Sequence, residues 1–293
     1  MSVTAGMVKN LRQVTNAGMM ECKKALVESE GDIEKATELL RKKGAASAGK
    51  KAGRIAAEGK IVQKISDDGK QGVLIEVNCE TDFVAQADSF SGFADEVANY
   101  VAAQRPESLG QLLDGTLNNG ERIEDARNAL IGRIGENVSV RRFEILEVEK
   151  GCISGYLHGR KIGVLVSVRS GTEELGHDLA MHIAASNPIA IDEPGIPKNQ
   201  LIREREIYLS QAKDTGKAAN VIEKIVDGRM KKYLKENTLL GQNFVKDTEI
   251  TIAELLKKNG AEVSGIVRYE LGEGLAKRSD DFVGEVLTQA AGN

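Results

Sequence analysis

The chain has no tryptophan, only three histidines and only three cysteines in 293 residues, and each scarcity argues against a class of protein. Cys22, Cys79 and Cys152 are odd in number and far apart, which speaks against a disulfide framework or a zinc set and for reduced thiols, mostly buried. Of His158, His177 and His182, the last two stand five positions apart, so they do not stack on one helix face as a metal-binding pair would. No local signature pairs a cysteine with a histidine, and Asp82 has no partner carboxylate beside it. No catalytic residue, metal site or cofactor is therefore assigned, and His182 reads as a residue packed in a helix. No apolar run is long enough to cross a bilayer and no charged, apolar, small-residue leader opens the chain, so the expected location is the cytoplasm. A formal net charge of −4 exerts no general pull on nucleic acid or an anionic membrane, and binding to neither is expected. Aromatics make up only 4% while glycine numbers 31, a composition of small packed modules rather than one thick core.

What is present is an internal repeat. With 41% hydrophobic residues the chain can bury a sizeable core, and its length is that of about two domains. Gly72-Val73-Leu74-Ile75-Glu76-Val77 matches Gly163-Val164-Leu165-Val166-Ser167-Val168 at a register of 91 residues. The helical run Glu96 to Ala103 matches Asp178 to Ala185 at a register of 82, so the first copy has gained nine residues between strand and helix. Arg142-Phe143-Glu144-Ile145 returns as Arg268-Tyr269-Glu270-Leu271 at a register of 126, so the second copy carries an insertion of 44 residues.

Taken in order, residues 1–55 read as a three-helix module with a linker. Thr4 caps a segment carrying Val8, Leu11 and Val14, a second helix starts at Met19, and Ile33, Ala36, Leu39 and Leu40 recur at helical spacing in a third. Gly44 to Gly59, rich in alanine, glycine and lysine, reads as a linker, helical in part. It contains a partial phosphate-loop pattern, Gly44 to Lys51, rejected because the last position is lysine rather than serine or threonine and no strand precedes it. Residues 56–149 form a first α+β subdomain: strands Lys60 to Ile65 and Gly72 to Val77 about the turn Ser66 to Gly69, helices Phe90 to Gln104 and Glu121 to Ile134, and a strand Val138 to Leu146. Residues 150–187 and 237–275 repeat that plan, with a turn at His158-Gly159-Arg160, a helix Glu173 to Ser186 and a final helix Ile252 to Lys258. Residues 188–236 read as an inserted helical hairpin, with Leu201, Tyr208 and Ala212 facing Val221, Ile222, Ile225, Met230 and Tyr233. Residues 276–293 read as a C-terminal helix capped by Ser279, with Phe282, Val283, Val286, Leu287 and Ala290 on its apolar side. The expected fold class is α+β, with a three-stranded antiparallel sheet in each repeated subdomain.

The nine extra residues of the first copy hold Thr81-Asp82-Phe83-Val84, an aromatic ring beside a carboxylate in a connecting segment, where function tends to be displayed. The commoner fate of a phenylalanine is to tuck into the local core. The run Asn78-Cys79-Glu80-Thr81-Asp82-Phe83-Val84-Ala85, with Asn16-Ala17-Gly18-Met19-Met20-Glu21-Cys22-Lys23-Lys24-Ala25-Leu26, resembles the bacterial translation elongation factor Ts family, and the resemblance covers nearly the whole chain. It implies a guanine-nucleotide exchange factor for elongation factor Tu. It further implies a UBA-like N-terminal bundle that contacts the GTPase through Lys23, and a hairpin similar to a coiled-coil projection used in association. In the family the Asp and Phe of the motif press near the magnesium and phosphate site of the GTPase, which marks Thr81, Asp82, Phe83 and Val84 as the main contact. Ile134 and Gly135, His158, and Val245 in Gly241-Gln242-Asn243-Phe244-Val245 match further family contacts, although Lys246 stands where some relatives carry an apolar residue. A one-to-one complex and a dimer of such pairs are both left open. Two other classes stay in view: an enzyme built on the phosphate-loop pattern, and a scaffold or RNA binder working through Lys50, Lys51 and Arg54.

Overall fold

The structure, a computed structural model, describes residues 3–15, 17–214 and 216–275. The chain divides into two compact units, one comprising Met1–Lys60, Ile75–Arg142 and Leu271–Asn293, the other Ile61–Leu74 and Phe143–Glu270. The helix expected from Ser279 onward lies outside the described residues, as do Asn16 and Thr215.

The first unit opens with α1 (Ala5–Thr15), α2 (Met19–Glu28) and α3 (Ile33–Lys51). The Thr4 hydroxyl accepts the Met7 N–H at 3.3 Å, and Asp32 caps α3 by accepting the Lys35 N–H at 3.0 Å. Val8, Leu11, Cys22, Ala25, Leu26 and Ala36 close a small core between the three helices. Val14, expected on the same face, is 62% exposed. Each step of three residues falls about 60° short of a full turn, so by Val14 the apolar stripe of α1 has rotated out of the core.

β1 (Glu58–Ile65), β2 (Gln71–Cys79), α4 (Asp82–Gln86), α5 (Asp88–Gln104), α6 (Leu109–Asp114), α7 (Ile123–Ile134) and β3 (Val138–Glu147) follow. The stretch read as a linker is helical through Lys51, because α3 continues to pack along α7. Gly44 makes that approach possible: a β-carbon there would sit 3.2 Å from the Asn128 carbonyl oxygen. Lys51 Nζ reaches the Ser47 hydroxyl at 2.9 Å and the Ile131 carbonyl at 3.5 Å. Gly44 to Lys51 therefore forms the end of a packed helix rather than a loop able to wrap a phosphate.

The remaining elements are β4 (Cys152–His158), β5 (Ile162–Arg169), α8 (Glu173–Ser186), α9 (Lys198–Lys213), α10 (Ala219–Asn237), β6 (Asn243–Phe244), β7 (Asp247–Thr251), α11 (Ile252–Asn259) and β8 (Glu262–Glu270). Two antiparallel sheets have the orders β1-β2-β3 and β4-β5-β8, so the repeat is one of topology as well as of sequence. In the second, Tyr156 pairs with Val164 and Leu165 with Val267. The central strands β2 and β5 are buried along nearly their whole length, which is why their sequences run apolar without alternation. α8 packs on β4 and β5 over a core of Val164, Val166, Leu179, Ile183, Ile252 and Leu256. The segment between α8 and α11, where the second copy is longer by a net 44 residues, holds the α9–α10 hairpin and the β6–β7 ribbon. Ala212 and Val226 are buried in the hairpin, whereas Val221, expected to face the other arm, is 39% exposed. Ile222, Val226, Met230 and Tyr233 make the inward stripe, and Val221 stands one position, about 100°, off it. Cys22 and Cys79 are buried and Cys152 is exposed.

Within the apolar β2 one carboxylate is buried. Glu76 accepts from Arg141 Nη1 at 2.9 Å, Arg142 Nε at 2.6 Å, the Gly272 N–H at 2.8 Å and Asn78 Nδ2 at 3.1 Å. Arg141 also donates to the Glu273 carbonyl and Arg142 to the Glu273 carboxylate, so the chain after β8 is tied down here. The repeat places Ser167 at the equivalent position, where its hydroxyl meets that of Ser264 at 2.9 Å. Burial pushes the Glu76 pKa up, but the Gly272 N–H and the two guanidinium groups outweigh it, and the net shift is downward. The Glu76 carboxylate therefore stabilises the fold above the ordinary glutamate range and loses its contribution as pH falls through its lowered value. Glu76→Gln should cost about 3 kcal/mol in urea unfolding at pH 7, and stability of the variant should fall less steeply than that of the wild type as pH drops below the ordinary glutamate range.

Candidate functional site

The first copy ends its central strand at Cys79 and begins its long helix at Asp88, while the second passes from Arg169 to Glu173. The difference is α4, the five residues Asp82–Gln86. A helix of one turn is not stable by itself, and of its residues only Ala85 is buried. Its support comes from its start. Thr81 is the N-cap, its hydroxyl accepting the Val84 N–H at 3.4 Å. The Glu136 carboxylate accepts the Thr81 N–H at 3.0 Å with one oxygen and the Thr81 hydroxyl at 2.7 Å with the other.

Glu136 reaches Thr81 because α7 stops where it does. Gly135 takes the left-handed conformation, φ 86°, as the C-cap, which turns the chain off the helix axis one residue before Glu136. The next residue returns the grip: the Asn137 N–H donates to Glu80 Oε1 at 2.6 Å, and Asn137 Nδ2 donates to the Arg54 carbonyl at 2.9 Å. Glu80 also lies 3.4 Å from Arg54 Nη1. Cys79 Sγ donates to the Thr81 carbonyl at 3.1 Å, and its thiol pKa is pushed to about 12, by burial first and then by the Glu136 carboxylate, so it stays protonated as a donor.

Held this way, Asp82 and Phe83 point outward. Phe83 is 82% exposed, the most exposed large apolar residue among those described, as expected of a displayed segment and against the alternative that it tucks into the local core. The physical reason is that Thr81 and Ala85 occupy the inner side of this single turn, leaving Phe83 on the outer side. An exposed ring forgoes roughly 1.5 to 3 kcal/mol of burial that a partner surface can restore. Ile134 and Gly135 are brought to the same place, since Glu136 joins the end of α7 to the start of α4.

Lys23 is exposed on α2, at a cleft of about 580 Å³ that Val3, Val8, Met19 and Met20 line together with Lys9 and Arg12. Met19 and Met20 are 59% and 63% exposed, so this face of the bundle is apolar with a basic rim. In the second unit, His158 ends β4 and Val245 is held by α8. His158 Nδ1 lies 3.3 Å from the Tyr156 hydroxyl, and the Tyr156 ring packs edge-on against His177. Val245, 39% exposed, donates its N–H to His182 Nδ1 at 3.3 Å, and the adjoining Lys246 pairs with Asp178 at 2.6 Å. That bond leaves His182 Nε2 as the protonated nitrogen, donating to Gln242 Oε1 at 3.0 Å.

Glu136 and Asn137 are absent from the residues that sequence alone singles out, and Glu80 enters there only as part of the motif run. Their partners lie 55 and 57 positions away, and the only local signal is a Glu-Asn pair directly after a helix-ending glycine, with Asn137 buried. His182, read as a packed helix residue, is packed and also carries the loop that displays Val245.

The description of the family that matches residues 80–273 is "Elongation factor TS". The chain is 52% identical over 289 residues to elongation factor Ts of Methylococcus capsulatus, spanning 99% of each chain. It is 52% identical over 293 residues to elongation factor Ts of Thioalkalivibrio sulfidiphilus, 100% of each, and 46% identical over 288 residues to that of Legionella pneumophila, 98% of each.

Burial pushes the His182 imidazole below the ordinary histidine range, and its bond to Gln242 does not offset this. The neutral ring is the native form, so it stabilises the fold above about pH 6.5, the unfolded value, and that contribution is lost as pH falls toward the lowered native value. Denaturant midpoints measured from pH 7.5 to 5.5 should decline in the wild type, and the decline should shrink in His182→Gln.

Proposed function

The chain belongs to the elongation factor Ts family, and from that premise we propose that it is the guanine-nucleotide exchange factor of elongation factor Tu in the elongation phase of translation. It binds the GDP form of the GTPase in the cytoplasm, disturbs the magnesium and phosphate site, and lets GDP leave so that GTP can load. The observation that carries the reading is Phe83, 82% exposed on a turn clamped by buried-side hydrogen bonds rather than left loose. Phe83 acts as an apolar wedge, while Asp82 beside it brings a carboxylate that competes with phosphate oxygens for a cation. Ile134 and Gly135 contact the same surface, and Lys23 on a UBA-like bundle, His158 and Val245 supply the remaining contacts.

The mechanism is a coupling of two binding equilibria and makes no covalent bond. A factor that binds best when nucleotide and magnesium are disturbed weakens GDP by the same ratio by which GDP weakens it. It sets the speed of exchange and leaves the choice of nucleotide to concentration and intrinsic affinity. One desolvated phenylalanine supplies roughly 1.5 to 3 kcal/mol, or about ten- to a hundredfold in rate at ~1.4 kcal/mol per decade. Larger accelerations require several contacts acting together, which fits candidate contacts distributed over helices, sheets and loops.

The release of fluorescent GDP from elongation factor Tu should be strongly accelerated by the wild type, and Phe83→Ala should lose roughly ten- to a hundredfold of that acceleration at an unchanged melting temperature. Absence of any acceleration by the wild type would overturn the reading. Equal acceleration by both chains would remove Phe83 as the wedge.

A further inference from the structure

We propose that Glu136, with Glu80 as its counterpart, is a positioning residue for exchange: it locks the Phe83 turn to the end of α7 so that both meet the partner as one pre-formed surface. The inference rests on the exchange reading above and assigns a role to residues whose carboxylates are engaged within the chain itself.

Glu80-Thr81 directly precede Asp82-Phe83, and Glu136-Asn137 directly follow Ile134-Gly135. Each pair gives a carboxylate to the backbone N–H of the other, Glu136 to Thr81 at 3.0 Å and Glu80 to Asn137 at 2.6 Å. Two crossed bonds of this kind fix both separation and orientation, which a single bond would leave free to pivot. A third bond, from the Thr81 hydroxyl to Glu136 at 2.7 Å, orients the side chain whose oxygen caps α4. The turn has little else to define it, because its only buried residue is Ala85 and Phe83 contributes nothing to the core. Without the clip the turn would have to be ordered during binding, and that entropy would be charged to the rate of exchange rather than to the stability of the fold.

Thr81 presents two donors to Glu136, its N–H and its O–H. Glutamine has the same size but only one acceptor atom, so Glu136→Gln leaves one donor unmatched with minimal change in packing. The experiment is a double-mutant cycle read as the rate of GDP release from elongation factor Tu, with Glu136→Gln, Phe83→Ala and the double variant. Glu136→Gln should lose about tenfold, the scale of one charge-assisted hydrogen bond, and should lose almost nothing further in the Phe83→Ala background. Amide exchange of residues 81–84 in the free protein should speed up in Glu136→Gln at unchanged melting temperature. Thr81→Ser, which keeps both donors, should lose less activity than Thr81→Val, which keeps only the backbone N–H.

Additive losses from the two substitutions, or a Glu136→Gln chain as active as the wild type, overturn the inference while the exchange reading stands. If Glu136→Gln lowers the melting temperature, the contrast between Thr81→Ser and Thr81→Val decides, and equal rates for those two overturn it. A wild type that does not accelerate release overturns the exchange reading and this inference together.

Discussion

A single turn of helix cannot hold an exposed aromatic ring in place by its own hydrogen bonds. Here the deficit is met by carboxylates from outside the turn: Glu136 takes both donors of Thr81 while Glu80 takes the N–H of Asn137. The arrangement depends on Gly135, whose left-handed backbone ends α7 and aims the next residue across to the turn. It depends equally on β2 and β3, which carry the two polar pairs at a strand end and a strand start. The apolar core thus serves a polar clip, and the clip presents Phe83.

The second unit uses the same logic with different chemistry. There a neutral imidazole, His182, accepts the N–H of Val245 while its other nitrogen is held by Gln242, which in turn donates to the Ser186 and Glu236 carbonyls. In both units a candidate contact residue is displayed on a short segment whose backbone is held by a side chain distant in sequence. Contacts presented in this way meet a partner with little ordering left to do, which favours a factor that must bind and release repeatedly.

Much of the fold was legible because periodicity reports burial. α8 could be read from Glu173 to Ser186, and the unbroken apolar runs of β2 and β5 announced central strands. The repeat made the topology of the second sheet follow from that of the first. Short elements were not legible: α6 and the β6–β7 ribbon have too few residues for a period to show. The continuation of α3 through Gly44 was hidden because alanine and glycine look the same in a linker and at a close helix contact. At the candidate site, the motif around Phe83 and its display on a connecting segment were legible, although composition alone favours burial for phenylalanine. Glu136 was illegible for another reason: a carboxylate that pairs with a backbone N–H 55 positions away leaves no pattern in its own neighbourhood.

We propose that the clamped turn delivers Phe83 to the nucleotide site of elongation factor Tu. The most direct measurement replaces Phe83 with the photoreactive analogue p-benzoylphenylalanine, irradiates the chain with the GDP-bound GTPase, and maps the crosslink by mass spectrometry. Attachment is expected beside the magnesium and phosphate site, weakened when Glu136→Gln is added. Attachment to a surface remote from the nucleotide, at undiminished yield in the Glu136→Gln chain, would contradict it.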